Sequence, residues 1–138
     1  MNDYNSQHIK IVSRTFHRVS DGTHGNTQGF HGSLTPGSLH KIFREQDLFG
    51  RNFVDLGAGD GKILAAALVS GASRVHGIEL PGNQANHLIF LAAMRKIRQI
   101  VLKDEDISSK SELQFEDIEK VLLAFSLSSS SSQIDVFV

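Results

Sequence analysis

The chain has 138 residues, 40% of them apolar and 21% charged, with no cysteine. That length holds one domain rather than two, and the missing cysteine excludes disulfides, thiol catalysis and cysteine-ligated zinc. Lys plus Arg number 14 and Asp plus Glu 15, a net charge of -1, which excludes a strongly basic nucleic-acid binder and leaves no direct evidence for a nucleic-acid partner.

The longest apolar runs, 63–69 and 88–94, hold seven residues each. A bilayer span needs ~20. The opening MNDYNSQHIK has no apolar signal core. The expectation is a soluble, intracellular protein with no membrane partner. Residues 1–103 carry 12 basic and 7 acidic side chains, and residues 104–138 carry 2 and 8. An acidic, solvated C-terminal segment is one reading; a basic N-terminal face for an acidic partner is the other.

Residues 1–30 are rich in Ser, Asn, Gly and His and read as a flexible segment. Within them, His8 to Val12 reads as a short strand, and Asp21 to Asn26 as a turn. At Thr35-Pro36 the pattern changes. Thr35 can cap a helix and Pro36 suits its first position. Leu39, Ile42 and Phe43 recur at helical spacing, which predicts a helix over 36–46. Asn52 to Leu56 reads as a buried strand, Gly57 to Gly61 as a loop, and Lys62 to Ser70 as a helix stopped by Gly71. Ser73 to Leu80 reads as a second strand. Asn83 can then cap a helix that ends near 98–101. Glu112 to Phe115 reads as a third strand and Asp117 to Phe125 as a short helix. A Ser-rich connector over 126–133 leads to a last strand over 133–138. The alternation implies an α/β fold, a parallel sheet with helices on both faces and right-handed crossovers.

Chemistry concentrates in Phe53-Val54-Asp55-Leu56-Gly57-Ala58-Gly59-Asp60-Gly61-Lys62. Gly57, Gly59 and Gly61 let the backbone turn tightly and let a ligand approach the peptide plane. The helix that follows offers free N–H groups there. The dinucleotide pattern G-x-G-x-x-G fits at Gly57 and Gly59 but meets Lys62 at its third glycine. Lys62 itself reads as a solvated first-turn lysine. No G-x-x-x-x-G-K-[ST] loop and no H-E-x-x-H exists, so no metal site is expected. His76 and His87 read as surface or half-buried residues. Asp55 sits two residues before the first glycine, where a carboxylate disfavours a pyrophosphate. Glu79 ends the second strand, 22 residues after Gly57, where an acid can accept both ribose hydroxyls. A ligand with a 2′,3′-diol, an amino group and a sulfonium charge suits this pair: S-adenosylmethionine.

DLGAGDGK followed by HGIEL resembles motif I and its successor acid in class I S-adenosylmethionine-dependent methyltransferases. His31 to Pro36 resembles the entry segment of the disruptor-of-telomeric-silencing family, the non-SET histone-lysine methyltransferases. That family has Tyr-Gly-Glu-x-Thr/Ser before a helix and then Phe-Val-Asp-Leu-Gly-x-Gly. Here His31 and Ser33 stand in place of the Tyr and Glu, and Thr35 is kept. The resemblance implies an incomplete Rossmann-like parallel sheet, with only its first three or four strands, and a partial methyltransferase domain over 31–138. It implies cofactor contacts from Thr35, Asp55, Gly57, Gly59, Gly61 and Glu79. It also offers Asp117 as an acid for the adenine amino group, beside the alternative that Asp117 only caps the next helix. No residue is assigned a catalytic role.

The implied reaction is methyl transfer to a protein lysine, with a core histone in a nucleosome as partner and a nuclear location; otherwise the location is cytoplasmic. A non-catalytic cofactor-binding remnant is the alternative, with an open sheet edge that can pair with another chain. A dinucleotide-binding dehydrogenase domain is the third reading. The chain alone is expected to show no methyl transfer.

Overall fold

The computed structural model describes residues 3–20, 35–45, 48–102, 110–116, 120, 123 and 136–137. The described elements follow one another as α1 (Asp3–Ser20), α2 (Pro36–Glu45), β1 (Asn52–Leu56), α3 (Lys62–Val69), β2 (Arg74–Glu79), α4 (Ala85–Ile100), β3 (Ser111–Phe115) and β4 (Val136–Phe137). A 3-10 turn over Pro81–Asn83 leads into α4.

The strands form one parallel sheet in the order β3-β2-β1-β4. β1 and β2 pair in register, with Phe53 opposite Val75 and Asp55 opposite Gly77. β2 and β3 pair with Gly77 opposite Leu113. Right-handed crossovers from β1 to β2 to β3 put α3 and α4 on the same face of the sheet. Most residues of the return from β3 to β4 lie outside those described, as do the expected turn at 21–26, the Ser-rich connector and most of the helix expected over 117–125.

The expectation of a short strand at 8–12 in a flexible segment is corrected. Residues 3–20 form α1, and Ile9, Val12 and Phe16 are fully buried or nearly so. Those three recur at helical spacing, with Ile11 and Val19 half-buried beside them. α1 packs against α2, α3 and α4. Thr15 lies inside the packed stretch and donates its hydroxyl to the Ile11 carbonyl at 2.8 Å, so its polarity is satisfied within the helix. The local run Ile9-Lys10-Ile11-Val12 is β-like by propensity alone, but burial against three helices overrides it.

α3 is short and small: Leu64, Ala65, Ala66, Ala67 and Leu68 are all buried. Its alanines let α1 and the sheet close on it from either side. Phe43 of α2 meets Phe53 of β1 edge-on, with ring centroids 5.8 Å apart. The N-cap position of α4, expected at Asn83, falls on Gln84, which makes no side-chain cap bond; Asn83 is the last residue of the 3-10 turn. Pro81 sets up that turn and delays the helix start.

Candidate functional site

Because β1 and β2 are parallel neighbours, their carboxyl ends emerge side by side. The loop after β1 is pinned there. The N–H groups of Gly57 and Ala58 both donate to the Ile78 carbonyl, at 2.7 and 2.9 Å. These bonds fix Asp55, just before the loop, relative to Glu79, just after Ile78.

The loop then turns through three left-handed glycines, with φ of 85° at Gly57, 59° at Gly59 and 87° at Gly61. Two of them serve different ends. A Cβ on Gly57 would point into open space, so the requirement there is backbone conformation and an unobstructed approach. A Cβ on Gly61 would run into the ring of Phe90, which seats α4 on the loop. Asp60 stabilises the helix start: its Oδ1 accepts the Lys62 N–H at 3.1 Å.

Asp55 is 3% exposed, and its Oδ2 is buried with no hydrogen-bond partner among the described residues. Burial, and then the neighbouring charge of Glu79, push its carboxyl up from 3.8 to about 7. Glu79 is also buried, but its oxygens are held. Oε1 accepts the Leu80 N–H at 2.9 Å, and Oε2 accepts Asn86 Nδ2 at 3.3 Å. The Glu79 carbonyl accepts the N–H of Glu116, so a third acidic residue follows the end of β3. The site therefore collects buried or half-buried carboxylates at the carboxyl ends of adjacent strands, which favours a cationic, hydroxyl-rich ligand over a phosphate.

Thr35 is exposed and works as a helix cap, its Oγ1 accepting the Ser38 N–H at 3.2 Å. Asp117 lies outside the described residues. Lys62 is half-buried rather than solvated; burial lowers its pKa, opposed by the charge of Asp60. His76 and His87 are half-buried, as expected. His76 Nε2 lies 3.0 Å from Gln114 Oε1, and the His87 ring stands edge-on to Phe115.

A cleft of about 380 Å³ opens between the start of α4 and the end of β3, lined by Gln84, Ala85, His87, Leu88 and Phe115. It lies on the same side of the sheet's end as Glu79 and offers apolar and aromatic walls. A groove of about 490 Å³ lies at the opposite, amino ends of the strands, against Phe49, Gly71, Val101 and Lys110. None of the candidate residues lines it. Among the described residues, no group of three metal-ligating side chains stands together, and no helix is long and apolar enough to cross a membrane.

The sequence reading missed Asn86 and Phe90. The signal was present in α4, where 86, 90, 93, 94 and 97 form its buried face. One polar residue in that stripe marks a place where packing alone does not choose the side chain.

No protein-family model matches the sequence, and no curated protein matches it. Solved structures do. The chain is similar to an S-adenosylmethionine-dependent methyltransferase from Thiobacillus denitrificans, determined with S-adenosyl-L-homocysteine, at 18% identity and a TM-score of 0.57. The likeness covers 90% of this chain and 42% of that one. A putative RNA methyltransferase from Pyrococcus horikoshii is similar over 91% of this chain and 56% of its own, at 20% identity and a TM-score of 0.44. The first likeness shows the fold: a Rossmann-like α/β sheet shared with that methyltransferase. The chain spans less than half the length of the Thiobacillus denitrificans enzyme.

Proposed function

We propose that this chain binds S-adenosylmethionine across the carboxyl ends of β1 and β2, as the cofactor-binding part of a methyltransferase. The observation that carries the reading is the buried, unpaired Oδ2 of Asp55 beside Glu79, at the foot of a left-handed glycine turn. A buried acceptor held without a donor fits an ammonium or another cationic donor. Open space at Gly57 fits close approach of the ligand to the backbone. Asp55 would hold the methionine end and Glu79 the ribose. The cleft at His87, Leu88 and Phe115 would take the base, with Asp117 as a further contact and Thr35 at the entry of α2. A pyrophosphate-bearing dinucleotide suits this acidic pair poorly.

The bound cofactor supplies an electrophilic methyl group. The residues of this chain bind and orient it, and the apolar walls exclude water. On the sequence resemblance we extend the reading to a protein lysine amine as acceptor, with a core histone in a nucleosome as the substrate and a nuclear location. No described residue is assigned to that amine, so the chain tested alone is expected to bind cofactor without turning it over. Label transfer from cofactor to nucleosomes that disappears in Glu79→Ala would overturn that expectation.

Binding itself is tested by calorimetry. Glu79→Ala removes an acceptor for two hydroxyls and should weaken S-adenosylmethionine by ~1.5–3 kcal/mol, roughly 10- to 150-fold. Unchanged affinity would remove Glu79 from the site, and tighter binding of a nicotinamide dinucleotide would favour the dehydrogenase reading.

A further inference from the structure

We propose that Asn86 is a positioning residue for the ribose of the cofactor, acting by fixing the carboxylate of Glu79. The proposal rests on the cofactor reading above and assigns a role in it to a residue on a separate element.

The buried face of α4 consists of Asn86, Phe90, Ala93, Met94 and Ile97. Four are apolar, and helical periodicity asks for an apolar residue at the fifth place as well. Asn86 is 1% exposed, among the most buried side chains of the molecule. Its amide is only half used. Nδ2 donates to Glu79 Oε2 at 3.3 Å, while Oδ1 is buried with no partner among the described residues. The opposite amide orientation would set Oδ1 against a carboxylate oxygen, two acceptors face to face, so the charge of Glu79 decides which way the amide lies.

An unpaired buried carbonyl destabilises the fold. A leucine has the same branched heavy-atom shape and removes the unpaired carbonyl, but it leaves Glu79 Oε2 without its donor. The apolar stripe and the unpaired carbonyl both argue for an apolar residue at 86, and the amide is explained by what it does to Glu79. The Leu80 N–H holds only Oε1, and it comes from the residue next in the chain. A carboxylate held at one oxygen can still rotate about that contact. The Asn86 bond holds the other oxygen from across the α4 interface and fixes the plane of the group. Each oxygen keeps lone-pair capacity for a ligand hydroxyl in a defined direction. Phe90, one turn further along α4, packs over Gly61. The start of α4 thus joins the glycine loop to the ribose acid, and Asn86 is the polar half of that joint.

The test separates positioning from mere structure. Affinities for S-adenosylhomocysteine and for its 2′-deoxy analogue are measured by calorimetry on the wild type and on Asn86→Leu, with thermal unfolding of each ligand-free protein. Loss of one hydrogen bond to the carboxylate predicts S-adenosylhomocysteine binding about five- to tenfold weaker in Asn86→Leu. The 2′-deoxy analogue, lacking one of the hydroxyls that Glu79 receives, should lose distinctly less, while thermal unfolding shows that the variant is folded. Equal losses for the two ligands would assign Asn86 a structural role and overturn the proposal, as would unchanged affinity for S-adenosylhomocysteine. If Asn86→Leu fails to fold, Asn86→Ser is judged by the same pair of titrations. Failure of the wild type to bind S-adenosylhomocysteine at all would instead overturn the cofactor reading, and the role of Asn86 with it.

Discussion

Asp55 is a carboxyl group whose burial disfavours its charge. Folding pushes its carboxyl up from the ordinary 3.8 to about 7. The folded state therefore holds the proton more tightly, and stability falls as pH rises through that window. Below it both states are protonated and no difference remains; above it the penalty is constant, on the order of 4 kcal/mol. Chemical denaturation of the ligand-free protein between pH 4 and 8 should show this fall, and Asp55→Asn should remove it. A wild-type slope in Asp55→Asn would contradict the assignment. A bound ammonium would favour the ionised form, so affinity for S-adenosylmethionine should rise with pH over the same range. The glycines separate in the same way. Gly61→Ala meets Phe90 at a left-handed φ and should destabilise the fold by ~1–3 kcal/mol. At Gly57 the surroundings are open, so Gly57→Val should strain the turn and chiefly abolish cofactor binding. Urea titrations and calorimetry on the two variants give opposite profiles if this is right; equal stability losses with binding intact in both would contradict it. Asp55, Glu79 and the glycines were legible in the sequence because residue type and spacing along one strand-loop-helix run carry the information. Asn86 was not, because its partner is Glu79 on another element and a polar residue at a helix start looks unremarkable on its own.

Elements divide along the same line. β1, its loop, α3 and β2 follow from short-range pattern: an apolar run, a glycine cluster, a helical stripe and a second run. β1 keeps its expected bounds, α3 ends one residue early and β2 is one residue shorter at each end. α1 was misread because its apolar residues are sparse and its one dense stretch is β-like. What makes it a helix is contact with α2, α3 and α4, which no local window contains. Phe16 is 1% exposed in that contact. Phe16→Ala should destabilise the protein by ~3–5 kcal/mol in urea denaturation, because a large cavity is left between helices. A loss under 1 kcal/mol would mean that α1 docks loosely and adds little to the core. Affinity of the folded fraction for S-adenosylmethionine should stay as in the wild type, since α1 supplies no residue to the site.

At the scale of the whole molecule, the sheet order β3-β2-β1-β4 places the site. Chain direction across the sheet reverses between β1 and β4, and crevices at such a reversal open beyond the carboxyl ends of the strands. Asp55 and the glycine loop lie at that point on β1, and Glu79 lies on the next strand. The alternating elements made a parallel sheet legible, but the position of β4 beside β1 depends on a crossover through residues that pattern alone does not pair. The central claim is that this end of the sheet, and not the groove at the other end, receives S-adenosylmethionine. Amide chemical-shift mapping during a titration with S-adenosylhomocysteine tests it most directly. The account predicts saturable shifts at 57–61, at Glu79 and Leu80 and around the start of α4, with the amides at Gly71, Val101 and Lys110 unmoved. Shifts confined to the opposite groove, or none at saturating ligand, would contradict it.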